Sequence, residues 1–291
     1  MKISKNHCKV LITGSNGQVG KTLKLIEPNY TYLNKSDFDL DVFNSKDFNK
    51  FKDYDILINL AAKTDLKLIE SNKKEAYKTN VLGLKKIISI CKKYNIFLIH
   101  LSSDYIYKDS KIRKKENFKK NIYNYYGYTK LIGEELIKKN LSNYIILRTS
   151  NIFSNYGNNL LNKIYKYISE KRKFSFYDNI HYNPTSSISI AKLIAKLIIY
   201  VEKKKFKYYG IYNYAQEPAT TPYIFAKSIL NELKVNTKNL ISINYNNDSN
   251  DIIRPYNTTL NSDKINKLIK LNNKYWLNDL SKYIKQRNET I

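Results

Sequence analysis

The chain has 291 residues, of which 42% are hydrophobic and 26% charged, proportions that suit a globular protein with a substantial buried core. Lys and Arg number 51 against 25 Asp and Glu, a formal charge of +26, but the lysines run along the whole chain among Asn, Ile and Tyr. That spread reads as residue usage on exposed positions, so no specific nucleic-acid partner is expected. No run of roughly 18 apolar residues is present, so no membrane insertion is expected either.

The first residues, Met1 to Cys8, are too polar for a secretory leader. Two cysteines (Cys8, Cys91) and three scattered histidines (His7, His100, His181) make neither a disulfide framework nor a metal site; a reducing, cytoplasmic setting is expected. Lys9 to Thr13 is a β-branched run, consistent with a buried parallel strand. It enters Gly14-Ser15-Asn16-Gly17-Gln18-Val19-Gly20, which holds three of only 8 glycines. Glycines at a strand-to-helix turn let the backbone approach a pyrophosphate, and the following helix, expected to run to Pro28, supplies free N–H groups.

A second strand, Tyr30 to Leu33, ends in Asn34-Lys35-Ser36. An acidic residue there would hold the ribose 2′-hydroxyl of NAD; none is present, and Lys35 can meet a 2′-phosphate, which favours NADPH over NADH. A helix capped by Ser45 and a third buried strand, Ile56 to Ala62, follow. A helix over 75–94 leads to a strand over 96–101 that closes on Ser102-Ser103-Asp104-Tyr105. His100 inside this run reads as a core histidine, whereas Ser103 lies where an α/β sheet presents its carboxyl edge to a ligand.

Asn124-Tyr125-Tyr126-Gly127-Tyr128-Thr129-Lys130 starts the next helix and sets Tyr126 and Lys130 one turn apart on one face. A fixed ammonium beside a phenol is expected to pull the tyrosine pKa below its ordinary value of about 10. In a chain with 27 tyrosines the spacing alone decides little. After the strand over 144–148 the rhythm loosens. It continues with a helix over 158–169, a strand over 174–177, a turn over 183–185 and a helix over 188–200. A strand over 210–214, a helix started by Pro222 and a last helix near Trp276 complete it. This alternation predicts an α/β fold with a doubly wound parallel sheet.

Together, Thr13-Gly14-x-x-Gly17-x-x-Gly20, a serine ending a later strand, and Tyr126-x-x-x-Lys130 resemble an extended short-chain dehydrogenase/reductase. Within that superfamily, the dTDP-4-dehydrorhamnose reductase family is the one resembled. Its likeness extends to Asn59-Leu60-Ala61-Ala62-Lys63-Thr64, Ser103-Asp104-Tyr105, Pro184-Thr185 and Arg254-Pro255-Tyr256-Asn257, and so to nearly the whole length.

The resemblance implies an NAD(P)-binding Rossmann fold with a smaller C-terminal substrate unit. The expected division is 1–152 with 184–204 for the first and 153–183 with 205–291 for the second. It further implies an NADPH- (or NADH-) dependent reductase of a nucleotide-linked 4-keto-6-deoxy sugar, acting in surface-polysaccharide precursor synthesis. Tyr126 would protonate the developing alkoxide, Lys130 would tune Tyr126 and bind the nicotinamide ribose, and Ser103 would hydrogen-bond the carbonyl. Gly14, Asn16, Gly17, Gln18 and Val19 would hold the pyrophosphate. Asn34, Lys35, Asp39 and Leu40 would surround the adenosine, and Leu60, Ala61, Ala62, Lys63, Thr64 and Leu101 would line the cofactor.

Ser103, Asp104 and Asn151 would meet the sugar. Asp104 is followed by Tyr105 rather than the Glu of sugar-nucleotide dehydratases, which points to reduction and away from elimination. Ser103 stands where the family has Thr, and Asn151 where the rhamnose enzymes carry Trp; these departures bear on the identity of the sugar. The competing readings are a non-catalytic regulatory homologue, of the kind that binds methionine adenosyltransferase, and a sister epimerase or reductase. Homodimerisation stays open.

Overall fold

The computed structural model describes residues 8–42, 45–203, 209–246, 252–271 and 274–289. His7 and the polar start read above lie outside these residues. The first unit begins β1 (Val10–Thr13), α1 (Gln18–Ile26), β2 (Thr31–Leu33), then a 3₁₀ helix (Ser45–Phe51) and β3 (Ile56–Asn59). It continues through α2 (Leu66–Ser71), α3 (Lys73–Tyr77), a π-helical stretch (Lys78–Gly83), α4 (Leu84–Tyr94), β4 (Phe97–Ser103), α5 (Tyr125–Asn140) and β5 (Tyr144–Thr149). Beyond it come β6 (Ile152–Phe153), α6 (Leu160–Ser169), β7 (Phe174–Tyr177), β8 (Thr185–Ser186), α7 (Ser187–Glu202) and β9 (Gly210–Asn213). The chain ends with α8 (Pro222–Glu232), β10 (Leu240–Ile243), α9 (Asp263–Leu268) and α10 (Trp276–Asn288).

Six strands form one parallel sheet in the order β2-β1-β3-β4-β5-β9. Alternate residues of the same strands face opposite sides, as a pleated strand requires. Val10, Ile12, Ile56, Ile58 and Ile145 pack against α1 and α7 through Leu23, Ile194 and Leu197. Leu11, Leu57, Leu98 and Ile146 pack against α4 and α5 through Ile87, Cys91 and Ile137. Both faces are therefore covered, which is why these strands read as continuous apolar runs. A separate core of Leu161, Ile164, Phe225, Ile229, Trp276 and Leu280 joins α6, α8 and α10 to the β7–β10 pair.

Strand order reverses direction at β1, which carries β2 on one side and β3 on the other. The carboxyl ends of strands at such a reversal leave a crevice that no connection crosses, and ligands of open α/β sheets bind there. The expected α/β doubly wound architecture is the one observed, a Rossmann-type fold.

Four local expectations are corrected. The helix read over 75–94 starts earlier and is broken: Asn72 ends α2 and caps α3 by accepting from the Glu75 N–H (3.2 Å), and the next stretch is π-helical. The segment at Ser45 forms a 3₁₀ rather than an α-helix. Thr185, read as the end of a turn over 183–185, instead opens the short strand Thr185–Ser186 that pairs with β6. Finally β9, placed by sequence order in the C-terminal unit, is the edge strand of the main sheet beside β5, and Ile265 and Ile269 of the α9 region join the same core. Chain order after residue 150 stops predicting spatial neighbours, because the C-terminal segment returns to the first unit.

Candidate active site

The glycine loop is shaped by backbone contacts. Gly14 sits at φ +74°, and a Cβ placed there would lie 2.6 Å from the Ala61 amide nitrogen, so β1 and the end of β3 approach more closely than any side chain permits. Gly17 donates to the Gly14 carbonyl (3.0 Å), and α1 starts at Gln18 with no side chain capping it. Its first N–H groups thus face the crevice, the arrangement that receives a pyrophosphate.

Three adjoining cavities run along this carboxyl edge. The middle one is bounded by Gly14, Asn16, Gly17, Gln18 and Val19 on one side and Leu60, Ala62, Thr64 and Leu101 on the other. It opens at one end into a cavity between Asn34, Lys35, Asp39, Leu40, Ala61 and Lys63. At the other end it meets a cleft holding Ser103, Asp104, Tyr126, Lys130 and Asn151. Every residue expected to hold the cofactor, carry the catalysis or meet the sugar lies on one of the three. The loop fits a dinucleotide: a close-approach glycine, an uncapped helix start and a continuous channel for adenosine, pyrophosphate and nicotinamide.

The side chains modify some expected roles. Lys35 is 72% exposed, and its amine lies 3.7 Å from Asp39 and 3.6 Å from Asp41, so the cation expected to meet a 2′-phosphate is already flanked by two carboxylates. The Lys63 amine turns to Glu75 (3.0 Å), leaving its backbone to line the channel. Asn34 uses its side-chain carbonyl to bind the Ser36 N–H (2.7 Å), which fixes the turn after β2.

In the catalytic cleft, Asn124 caps α5 by accepting from the Gly127 N–H (3.0 Å), and Tyr126 and Lys130 follow on the first turns. The buried Lys130 amine donates to the Leu101 carbonyl (2.8 Å) at the end of β4. Burial pulls its pKa down to about 8, opposed by the Glu134 carboxylate one turn on. Tyr126 moves the other way from the expectation. Burial raises its phenol well above the ordinary value, opposed by the Ser103 hydroxyl and reinforced by Asp104 and Tyr105. Desolvation dominates the shift, and the Lys130 amine, bonded to the Leu101 carbonyl, is not among the groups that offset it. The raised pKa makes the phenol a weaker acid but keeps it protonated across the neutral range, the state in which it can donate to a developing alkoxide, a stronger base than the phenolate.

Ser103 donates to Asp104 Oδ1 (3.0 Å) and accepts from the Tyr105 N–H (3.3 Å). Asp104 is buried, its carboxyl raised chiefly by burial, and its Oδ2 makes no hydrogen bond. The buried Ser150 and Thr258 hydroxyls lie close enough to favour its ionised form, yet neither completes a bond of good geometry. The Tyr105 ring meets Tyr126 edge-on at 5.9 Å. His100 is buried within the sheet at 3% exposure and bonds to Asn59 (Nδ1 to Nδ2, 3.0 Å); burial, and then the Lys130 charge, push its pKa well down.

Several positioning residues were not legible as such. Asn80, carried by the π-helical stretch, accepts from the Lys63 N–H (2.8 Å) and donates to the Lys63 carbonyl (3.0 Å) and to Thr129 (3.1 Å). It therefore joins the channel wall to the tyrosine helix. Glu134 and Arg148, both with fully buried side chains, form a two-pronged ion pair (2.9 and 2.5 Å), and Ser102, next to Ser103, donates to Glu134 (2.6 Å). Arg254 lines the catalytic cleft beside Tyr105, with its Nε buried and unbonded. The motif around Arg254 was visible in the sequence; its arrival beside Tyr126 depends on the fold.

Fold, glycine loop and channel define a dinucleotide-binding protein of the Rossmann class. The family described as RmlD substrate binding domain matches residues 8–289. The dTDP-4-dehydrorhamnose reductase of Aggregatibacter actinomycetemcomitans is 34% identical over 77% of this chain and 79% of its own length. Among solved structures, the dTDP-4-dehydrorhamnose reductase of Clostridium acetobutylicum superposes with a TM-score of 0.85 at 24% identity, covering 96% of this chain and 99% of its own. The enzyme from Bacillus anthracis, solved in complex with NADP, gives 0.84 at 22% identity over 96% and 99%. The chain belongs to the RmlD substrate binding domain family.

Proposed function

We propose that the protein is an NADPH-dependent reductase (NADH serving less well) of the 4-keto group of a nucleotide-linked 6-deoxy sugar, with dTDP-4-dehydrorhamnose the first substrate to test. The observation that carries this reading is the meeting of Tyr126, Ser103 and Lys130 in one cleft that is continuous with the glycine-loop channel. The relatives bearing that enzyme name support it. So does the absence, among the described residues, of any helix long and apolar enough to cross a membrane, which suits an enzyme acting on a water-soluble nucleotide sugar.

The cofactor, when bound, supplies a hydride to the carbonyl carbon. The chain does the rest. Gly14 and Gly17 let the loop backbone reach the pyrophosphate, and the uncapped start of α1 meets its charge. Tyr126 delivers its phenolic proton to the carbonyl oxygen as that oxygen gains charge, and the Ser103 hydroxyl donates a hydrogen bond to the same atom. For this the Ser103 proton leaves Asp104 Oδ1, where it rests in this structure. Lys130, anchored at the Leu101 carbonyl, places a positive charge beside the tyrosine and keeps donors for the ribose. Arg254 is suited to the substrate's diphosphate, since a guanidinium fork matches phosphate oxygens two at a time. The test is oxidation of NADPH on addition of dTDP-4-dehydrorhamnose, with dTDP-rhamnose as product. Cofactor binding with no turnover of any nucleotide-linked keto-sugar would instead favour a regulatory homologue.

A further inference from the structure

The Gln18 side chain does not face the pyrophosphate channel alone. Its Oε1 accepts from Ser154 Oγ (2.9 Å) and from Asn159 Nδ2 (2.9 Å), both more than 130 residues further along the chain. Asn159 also donates to the Ser154 and Tyr156 carbonyls (2.9 Å each) and caps α6. Asn162 holds the Gly157 carbonyl (2.9 Å). The turn between β6 and α6 is therefore fastened from inside and bolted to the glycine loop by one side chain. Gly157 stands at φ +70°, and a Cβ there would lie 3.3 Å from Gln18 Cγ, so the turn is seated tightly against that side chain. On the outside the Lys21 amine lies over the Tyr156 ring at 5.4 Å.

The consequence lies in the channel. Gly157 and Asn158 line it together with Gly14 and Gly17. Asn158 is exposed to the channel, and its side-chain amide makes no hydrogen bond with the described residues. We propose that Asn158 hydrogen-bonds the pyrophosphate of the dinucleotide, and that Gln18 acts as the latch holding the Asn155–Asn158 turn in place for it. Gln18 is then a positioning residue as much as a contact. Cofactor affinity becomes dependent on a segment that follows the main sheet and leads into α6. This assignment rests on the cofactor reading of the preceding subsection.

Binding measurements on the full chain separate the possibilities. The probes are NADP⁺, ADP-ribose and adenosine 2′-monophosphate, of which the last lacks the pyrophosphate. Asn158→Ala alters an exposed side chain with no protein partner, so the fold should survive. It should weaken NADP⁺ and ADP-ribose by about tenfold, the size of one hydrogen bond to a charged group, and leave adenosine 2′-monophosphate unchanged. Ser154→Ala, which removes one of the two latch bonds and the hydroxyl's bonds to the Tyr156 backbone while keeping Asn158, should show the same pattern at a smaller, severalfold size. Equal weakening of all three probes, or no change in any, overturns the proposal. A wild-type chain that binds no dinucleotide overturns the cofactor reading itself, and this proposal with it.

Discussion

The Asn124 side-chain amide donates to the Ile253 carbonyl across 3.1 Å, while the same residue's Oδ1 caps the tyrosine helix at Gly127. One side chain thus bonds the first turn of α5 to the segment that brings Arg254 into the cleft. That segment is held from its other flank by Asp109, which accepts from the Tyr256 and Asn257 N–H groups (2.8 and 3.0 Å). The buried Lys114 amine adds a bond to the Asn257 carbonyl (2.6 Å). The backbone on both sides of Arg254 is thus fixed, and its guanidinium enters the cleft with a buried N–H to spare for an anion.

The first prediction follows from that clamp. Arg254→Ala should raise KM for the nucleotide sugar, and the Kd for the nucleoside diphosphate alone, by about ten- to a hundredfold. Affinity for NADPH should stay within about twofold, since Arg254 lines the catalytic cleft and neither of the two cavities beside the glycine loop. Arg254→Lys restores charge without the fork and should recover only part of the loss. Steady-state kinetics with each substrate varied in turn would show whether the effect falls on the sugar or on the cofactor.

Much of this site was legible in the sequence because its chemistry is local. The glycine loop and the Tyr126–Lys130 pair each sit within seven consecutive residues, and Ser103 ends an apolar run that could only be a buried strand. The sheet was legible for the same reason: each strand carries its own pattern. What was not legible depends on distant meetings. Gln18 gave no sign that it would hold Asn159, nor did Asn80 show that it would read the Lys63 backbone. The position of β9 was misread because sequence order does not record that the chain returns to β5. The direction of the Tyr126 shift was misread because i,i+4 spacing reports proximity to Lys130 and says nothing of burial, which dominates.

A second prediction concerns pH. Burial brings the Lys130 amine down to about 8, so the ammonium is present below that pH and lost above it. Tyr126, with its pKa raised, keeps its proton across the same range. The value of kcat/KM should therefore hold near neutrality and fall as pH rises through about 8. In Lys130→Met the rate should be low and that alkaline limb absent. The stability effect has the opposite sign. The folded pKa lies below the unfolded value of about 10.4, so the unfolded chain binds more protons between the two, and this group's contribution to stability rises with pH across that window.

The Glu134–Arg148 pair gives a third. Glu134→Gln leaves Arg148 as an uncompensated buried charge and should cost about 3–5 kcal/mol. Replacing both partners by methionine should recover most of that loss, since apolar groups of similar volume need no counter-charge. Urea melts of the single and double variants read this directly. A single variant as stable as the wild type would contradict the buried pairing.

Lys35 carries the fourth. Its exposed amine is shared between Asp39 and Asp41, and solvent screens such surface pairs to within about 1 kcal/mol. Lys35→Ala should raise KM for NADPH by no more than about fivefold and leave KM for NADH unchanged. A far larger loss, confined to NADPH, would show that Lys35 leaves its carboxylates to hold the 2′-phosphate.

The central claim is that Tyr126 is the proton donor of a keto-sugar reduction, and the most direct test is the turnover of NADPH with dTDP-4-dehydrorhamnose by the Tyr126→Phe variant. The substitution removes only the phenolic oxygen and keeps the ring against Tyr105. The expected result is a fall in kcat of about 10²- to 10⁴-fold, the usual contribution of a positioned acid, with NADPH affinity preserved. A variant that turns over at the wild-type rate would contradict it.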